Sequence, residues 1–246
     1  MPEKIKKNNL LDVTKKDQFR TVEELLQKRQ PDSMFYVMLV LSSLIIAAGV
    51  VLSSVPIIIG GMLVTPLLTQ FLVIALGLTV GEVSLVVRTG IFILKATLAI
   101  ITGSFLLGLI FGNDAIAFPS VVNTLSAGFL YFVVAVSSGV AVTLAWIRRE
   151  VSEVLPGVAI AVSLVPPLSY IGVGISQWNL EVASFFIVIY VLNLFGIILG
   201  SLGVFSLSRF NRMYKEVAAV KIAQEDMATT IIDIGSDSHN TDHKES

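Results

Sequence analysis

Two short stretches hold the residues best suited to chemistry: Thr65, Pro66, Thr69 and Gln70 in one, Ser163, Pro166, Pro167, Ser169 and Tyr170 in the other. Each sets proline inside a long apolar run and flanks it with hydroxyl, amide or phenol groups. A proline within a helix deletes one backbone donor, and its ring clashes with the preceding turn. At Pro66 this predicts unpartnered carbonyls around Met62 and Leu63. At Pro166-Pro167 it biases Val165 and Pro166 out of the helical region. Hydrocarbon does not tolerate bare peptide groups, so both breaks must face protein or water. Freed carbonyls, flanking side chains and the amides of restarting half-helices together suit a small polar or anionic solute. Thr65, Thr69, Gln70, Ser163, Ser169 and Tyr170 are then the side-chain ligands, with Pro66, Pro166 and Pro167 exposing backbone. Asn193, near the middle of the last apolar run, either joins them or holds helices together. The plainer alternative is that the prolines only kink packed helices, with hydroxyls closing the backbone locally.

Other chemistries fail on inventory. Zero Cys among 246 residues removes disulfides, thiolate metal sites and thiol redox chemistry. His239 and His243 have helical metal-pair spacing but sit in a polar tail without a further strong ligand, so no metal and no cofactor is expected. There is no His-Glu-x-x-His, no Walker loop and no pair of intramembrane aspartates. A Ser104–Lys95 dyad would need residues off one another's face and about 13 Å apart along the axis. Catalysis is not expected. No carboxylate falls at mid-membrane depth, which weakens a proton relay or carboxylate-bound sodium.

The elements that must position these residues are apolar helices. A hydrophobic fraction of 54% excludes a water-soluble globule of this length. Six stretches reach the roughly 20 apolar residues one crossing needs: Phe35–Ser53, Pro56–Gly81, Thr89–Gly112, Thr124–Ile147, Val154–Ile175 and Val182–Leu207. With the N-terminus in the cytoplasm, Arg88, Arg148, Arg149, Arg209, Arg212 and Lys215 all fall on that side, and the outer loops hold no Lys or Arg. Lys95, inside the third span, reads as a snorkelling boundary residue. Glu82 reads as a helix cap or ion-pair partner. The address expected is a bacterial or archaeal inner membrane, both termini cytoplasmic. The basic residues read as topology signals toward an anionic leaflet, not as nucleic-acid contacts.

Residues 1–33 read as a cytoplasmic arm, 34–208 as the membrane domain and 209–246 as a cytoplasmic tail. Thr21-Val-Glu-Glu24 fits a capping box, predicting a helix over 21–30 ended by Pro31, solvated or skimming the membrane, with docking to a partner as the lesser alternative. Arg209 to Met227 predicts an interfacial helix, followed by a polar tail. Gly77-x-x-x-Gly81 and Gly196-x-x-x-Gly200 predict close helix packing within the protomer, or in a homo-oligomer. The spans also divide three and three. Met62-Leu-Val-Thr-Pro-Leu67 in the second parallels Ser163-Leu-Val-Pro-Pro-Leu168 in the fifth, with Pro56 and Pro156 about ten residues before. Three being odd, the halves must run upside down to one another. The fold expected is all-α, six transmembrane helices as inverted 3+3 repeats with the second and fifth interrupted, a plan shared by many secondary transporters.

The stretches Ile57-Ile-Ile-Gly-Gly-Met-Leu-Val-Thr-Pro-Leu67 and Leu155-Pro-Gly-Val-Ala-Ile-Ala-Val-Ser-Leu-Val-Pro-Pro-Leu168 resemble the prokaryotic "uncharacterised hydrophobic domain" membrane proteins, a family of unknown function. The resemblance covers about residues 35–207, including Asn193-Leu194. It departs at Gly61, where alanine is expected, and at Thr69-Gln70, where a Gly-Pro-like pair often follows. Many such relatives carry an additional soluble N-terminal domain. The resemblance implies fold and topology but no substrate. The function expected is a membrane transporter offering a passive or ion-coupled pathway. The competing readings are a scaffold or sensor that recruits a cytosolic partner, and an oligomeric channel.

Overall fold

The computed structural model describes residues 13–28, 32–112, 124–148, 164–208, 210 and 212–217. These are helical throughout, with no strand among them. The elements are α1 (Lys15–Gln27), α2 (Ser33–Val51), α3 (Val55–Val64), α4 (Leu68–Val80), α5 (Val83–Phe111), α6 (Thr124–Ile147), α7 (Val165–Ser176) and α8 (Leu180–Leu207). Among the described residues four helices, α2, α5, α6 and α8, are long and apolar enough to cross a membrane, and α3 with α4, bent by 53°, has the length and composition of a broken span or a re-entrant loop. The first half of the fifth apolar stretch, with Pro156 and Ser163, lies outside the described residues, as do Arg149, His239 and His243. At 12 residues, α7 alone is too short to cross.

The helices alternate in direction through three turns of one construction. At each, a glycine in the last turn of the helix is followed four positions later by a left-handed residue. The next amide then donates back to that glycine: Ser54 N to Gly49 O at 2.8 Å, Glu82 N to Gly77 O at 2.9 Å, Asn179 N to Gly174 O at 2.9 Å. The left-handed residues are Ser53 (φ 51°), Gly81 (φ 77°) and Trp178 (φ 57°). The bond is the outer one of a Schellman cap, which satisfies a carbonyl the helix end would orphan. Gly81 is therefore a helix cap with no close neighbour, whereas Gly77 packs as expected, against Val86 of α5. Glycine at the bonded position lets the returning helix approach, since a Cβ on Gly49 would lie 2.9 Å from Ile58 N. Gly196 and Gly200 do pack as expected, against Val136 and Val140 of α6.

Residue pairing sets the helix directions. Gly49 meets Ile58 and Gly61 meets Ile46, so α3 returns antiparallel along α2. Phe35 meets Phe92 and Ser43 meets Gly103, so α5 runs parallel to α2. Gly172 meets Ser104 and Ser176 meets Gly108, so α7 runs parallel to α5. Gly196 against Phe132 and Gly200 against Val140 make α8 parallel to α6.

α1 departs from its expected form. Its helix starts at Lys15 with Thr14 at the cap, and ends at Gln27. Thr21 is buried within it and caps nothing. Thr21, Val22, Leu25 and Leu26 form one buried stripe, so packing on the bundle carries the helix a turn and a half beyond the local capping signal. α1 is docked on the bundle instead of solvated. Past α8, Phe210, Met213 and Val217 are buried at helical spacing in the described part of the expected interfacial helix.

Candidate functional site

The break at Pro66 is real and sharp. Thr65, preceding the proline, leaves the helical region (φ −76°, ψ 122°), as ring sterics require. α3 ends there and α4 begins at Leu68. The register of α3 on α2 places the break opposite about Leu41, near the middle of α2. One side of the gap is closed locally: Thr65 Oγ1 donates to Gly61 O at 3.2 Å, and Thr65 N to Met62 O at 3.3 Å. The Met62 carbonyl is thus partnered, contrary to the sequence expectation. The other side is left more open, because the N-cap of α4, Leu67, has no side chain able to cap its first amides.

Against this open side lies a cavity of about 370 Å³, lined by Pro66, Thr69 and Gln70 from the break, Gln27 and Lys28 from the end of α1, and Asp32, Met34, Phe35 and Met38 from the start of α2. Gln70 is its buried polar member, 2% exposed. Its Nε2 donates to Lys28 O at 3.1 Å, while its Oε1 has no partner. A buried amide half satisfied in this way is costly, and such groups mark places where polar ligands or solvent are accommodated. Asp32 also caps α2, accepting from Phe35 N at 2.9 Å.

The second break is built differently. Leu164 is already in the helical region (φ −78°, ψ −37°), and Val165, Pro166 and Pro167 form the first turn of α7. The expected exit of Val165 and Pro166 from helical geometry does not occur. In a first turn the missing proline donors cost nothing, because those amides have no partner within the helix. Pro166, Pro167 and Ser169 are buried, and Ser169 Oγ has no hydrogen-bond partner. Tyr170 is partly buried and stacked on Phe186 at 4.4 Å. Asn193 is 3% exposed, within the bundle. None of these lines the cavity, so of the described candidates Pro66, Thr69 and Gln70 meet there, with Thr65 adjoining, and Pro166, Pro167, Ser169, Tyr170 and Asn193 do not. Lys95 is exposed on the outer face of α5 between Leu94 and Leu98, away from the cavity. Glu82 stands at the N-cap of α5 without a capping bond from its side chain.

Sequence reasoning missed the contribution of α1. Arg20 Nη2 donates to Ile147 O at 2.8 Å, at the end of α6, and Gln18 Nε2 to Ser208 O at 2.7 Å, at the end of α8. Lys28 Nζ lies 4.9 Å from the Trp146 ring centre. Cationic and amide donors thus cover the negative ends of two helices. The signal available in sequence was the apolar Val22-Leu25-Leu26 stripe, which announces a buried face without naming what buries it.

Residues 62–199, more than half the chain and containing both proline breaks, match the family described as Domain of unknown function (DUF389). The chain belongs to this family. It is also 26% identical over 172 residues to an uncharacterized protein of Methanocaldococcus jannaschii, MJ0678, covering 69% of this chain and 52% of that one. The chain thus spans about half the length of the curated relative it matches. No solved structure matches it. The apolar helices describe a membrane protein, and α1 lies outside the segment that matches the family.

Proposed function

We propose that this DUF389 protein is a six-span inner-membrane transporter of inverted 3+3 repeats, with cytoplasmic termini, which moves a small polar or anionic solute through the Pro66 break. The observation that carries this reading is the cavity at that break, where a buried glutamine presents an unpartnered acceptor beside the uncapped start of a half-helix. The lining combines donors and acceptors (Lys28, Thr69, Gln70, Asp32) with an apolar wall of methionine and phenylalanine, the composition expected of a small-solute site. Inverted repetition is supported by pairing. α2 runs parallel to α5 as α6 runs parallel to α8, and α5 packs on α7 as α8 packs on α4. Gathering of Arg20, Lys28 and Arg88 toward the α1 end supports that end as cytoplasmic. Thr65 adjoins that site, and Ser163, Pro166, Pro167, Ser169, Tyr170 and Asn193 enter as residues of the second half-pathway and its walls.

The test is solute flux in proteoliposomes across a panel of inorganic ions and small metabolites, with Pro66→Ala and Gln70→Ala alongside. Flux above empty vesicles that both substitutions reduce supports the reading. No flux and no thermal stabilisation by any solute would sink it. The local closure of Thr65 on Gly61 favours a second reading, a packed kink in a non-transporting scaffold, which predicts that Pro66→Ala is silent.

A further inference from the structure

We infer that α1 is a releasable latch on the Pro66 break, a regulatory device that rests on the transport reading for its purpose but not for its existence. The geometric basis is a direct link. The carbonyl of Lys28, which ends α1, accepts the hydrogen bond of Gln70, four residues beyond the break. Docked α1 therefore ties the Nε2 of Gln70 to its own last carbonyl and closes one wall of the cavity with Gln27 and Lys28. When α1 leaves, Gln70 loses its partner, the cavity loses that wall, and both ends of the amide are free for a solute.

The docking surface has the character of a separable interface. Its polar fastenings reach the ends of helices and not their middles: Arg20 to the end of α6, Gln18 to the end of α8, Lys28 over Trp146. Along the same seam several buried polar atoms have no partner, namely Thr21 Oγ1, Trp146 Nε1, Ser208 Oγ and Gln70 Oε1. Leaving these groups unmet lowers the cost of opening, because water satisfies them on release. Arg20 also carries alternative partners on its own helix, Asp17 at 3.1 Å and Glu24 at 3.7 Å, so its charge stays compensated after undocking. The apolar stripe of Val22, Leu25 and Leu26 supplies the attraction that returns the helix.

The chain is suited to a direct test, since it contains no cysteine and only two tryptophans. With Trp178→Phe, Trp146 alone reports docking. Adding Gln18→Ala and Arg20→Ala should raise quenching of Trp146 by aqueous acrylamide. A Thr69→Cys reporter in the same background should react with a water-soluble maleimide about tenfold faster than in the docked protein, the population shift expected from losing a charge-assisted hydrogen bond. Arg20→Lys should restore most of the slow labelling, which a general loss of folding does not allow. Independently, a Gln18→Cys/Ser208→Cys pair oxidised to a disulfide should stop solute flux until reductant is added. Unchanged labelling on release overturns the latch whether or not any solute is transported. Flux indifferent to the crosslink overturns its regulatory role while leaving the transport reading intact. A protein with no flux in any form but release-dependent labelling keeps the latch and overturns the transport reading.

Discussion

Replacing Gly200 with alanine should destabilise the protein, while the same change three residues on, at Gly203, should not. Both glycines lie in α8, and in each the change removes backbone freedom, which by itself favours a helix by about 0.5–1 kcal/mol. A Cβ on Gly203 meets nothing within 4 Å. A Cβ on Gly200 meets Val136 O, Val140 N at 3.0 Å and Gly139 C at 3.2 Å, all backbone atoms of α6. Side chains can rotate aside, but helix backbones cannot, so α6 and α8 must separate along their length. Overpacking of this kind costs about 1–3 kcal/mol, and the rigid partners place it toward the upper end. Separation also stretches the 3.2 Å bond from Ser201 Oγ to Gly139 O, worth about 1 kcal/mol. Against the propensity gain, the net loss for Gly200→Ala is about 3 kcal/mol, a shift of more than about a hundredfold in the unfolding equilibrium. Gly203→Ala should be neutral or slightly stabilising. Unfolding titrated in mixed micelles, followed by far-ultraviolet circular dichroism, reads both. Equal stability of the two variants would refute the close parallel packing of α6 on α8, and with it the helix pairing that supports inverted repetition.

The turn geometry predicts an opposed pair: Ser53→Gly should stabilise by up to about 1 kcal/mol by relieving a left-handed serine, whereas Gly81→Ala should cost about 1 kcal/mol although space is free around it, both read as shifts in the same titration. Asn179→Ala should cost about 1 kcal/mol through loss of its 3.1 Å cap bond with Val182 N, with no change in solute flux. Gln70→Leu should leave stability within about 1 kcal/mol of the parent, since it removes an unpartnered acceptor along with one hydrogen bond, yet abolish any solute-dependent rise in melting temperature. A Gln70→Leu protein still stabilised by the transported solute would remove Gln70 from the site.

Much of the architecture could be read from residue order because hydrocarbon leaves few choices. Apolar runs of about 20 residues must be helices, and the runs at α2, α5, α6 and α8 are helices of 19 to 29 residues. Pro66 was legible as a break for an equally local reason, its own ring sterics. Pro166-Pro167 misled, because the same sterics are harmless in a first turn, and whether a turn is first depends on where the preceding helix stops. Thr21 misled in the same manner. Its capping pattern was genuine, but burial of the stripe through Leu25 and Leu26 drew the helix further upstream. Gly77 and Gly81 had packing-motif spacing, yet only Gly77 packs, and Gly81 serves the left-handed turn.

The sequence by itself determined that this chain is a membrane protein, where most of its helices run, that one of them breaks at Pro66, and to which family it belongs. These follow from hydropathy and backbone sterics, which act over a few neighbouring residues. Only the tertiary structure decided that α1 folds back on the bundle, that Lys28 meets Gln70 across 42 positions, and that the cavity takes its wall from α1 and α2 and not from the second proline pair. Those contacts depend on helix direction, offset and tilt, which are set by how whole faces pack, and no local pattern encodes them.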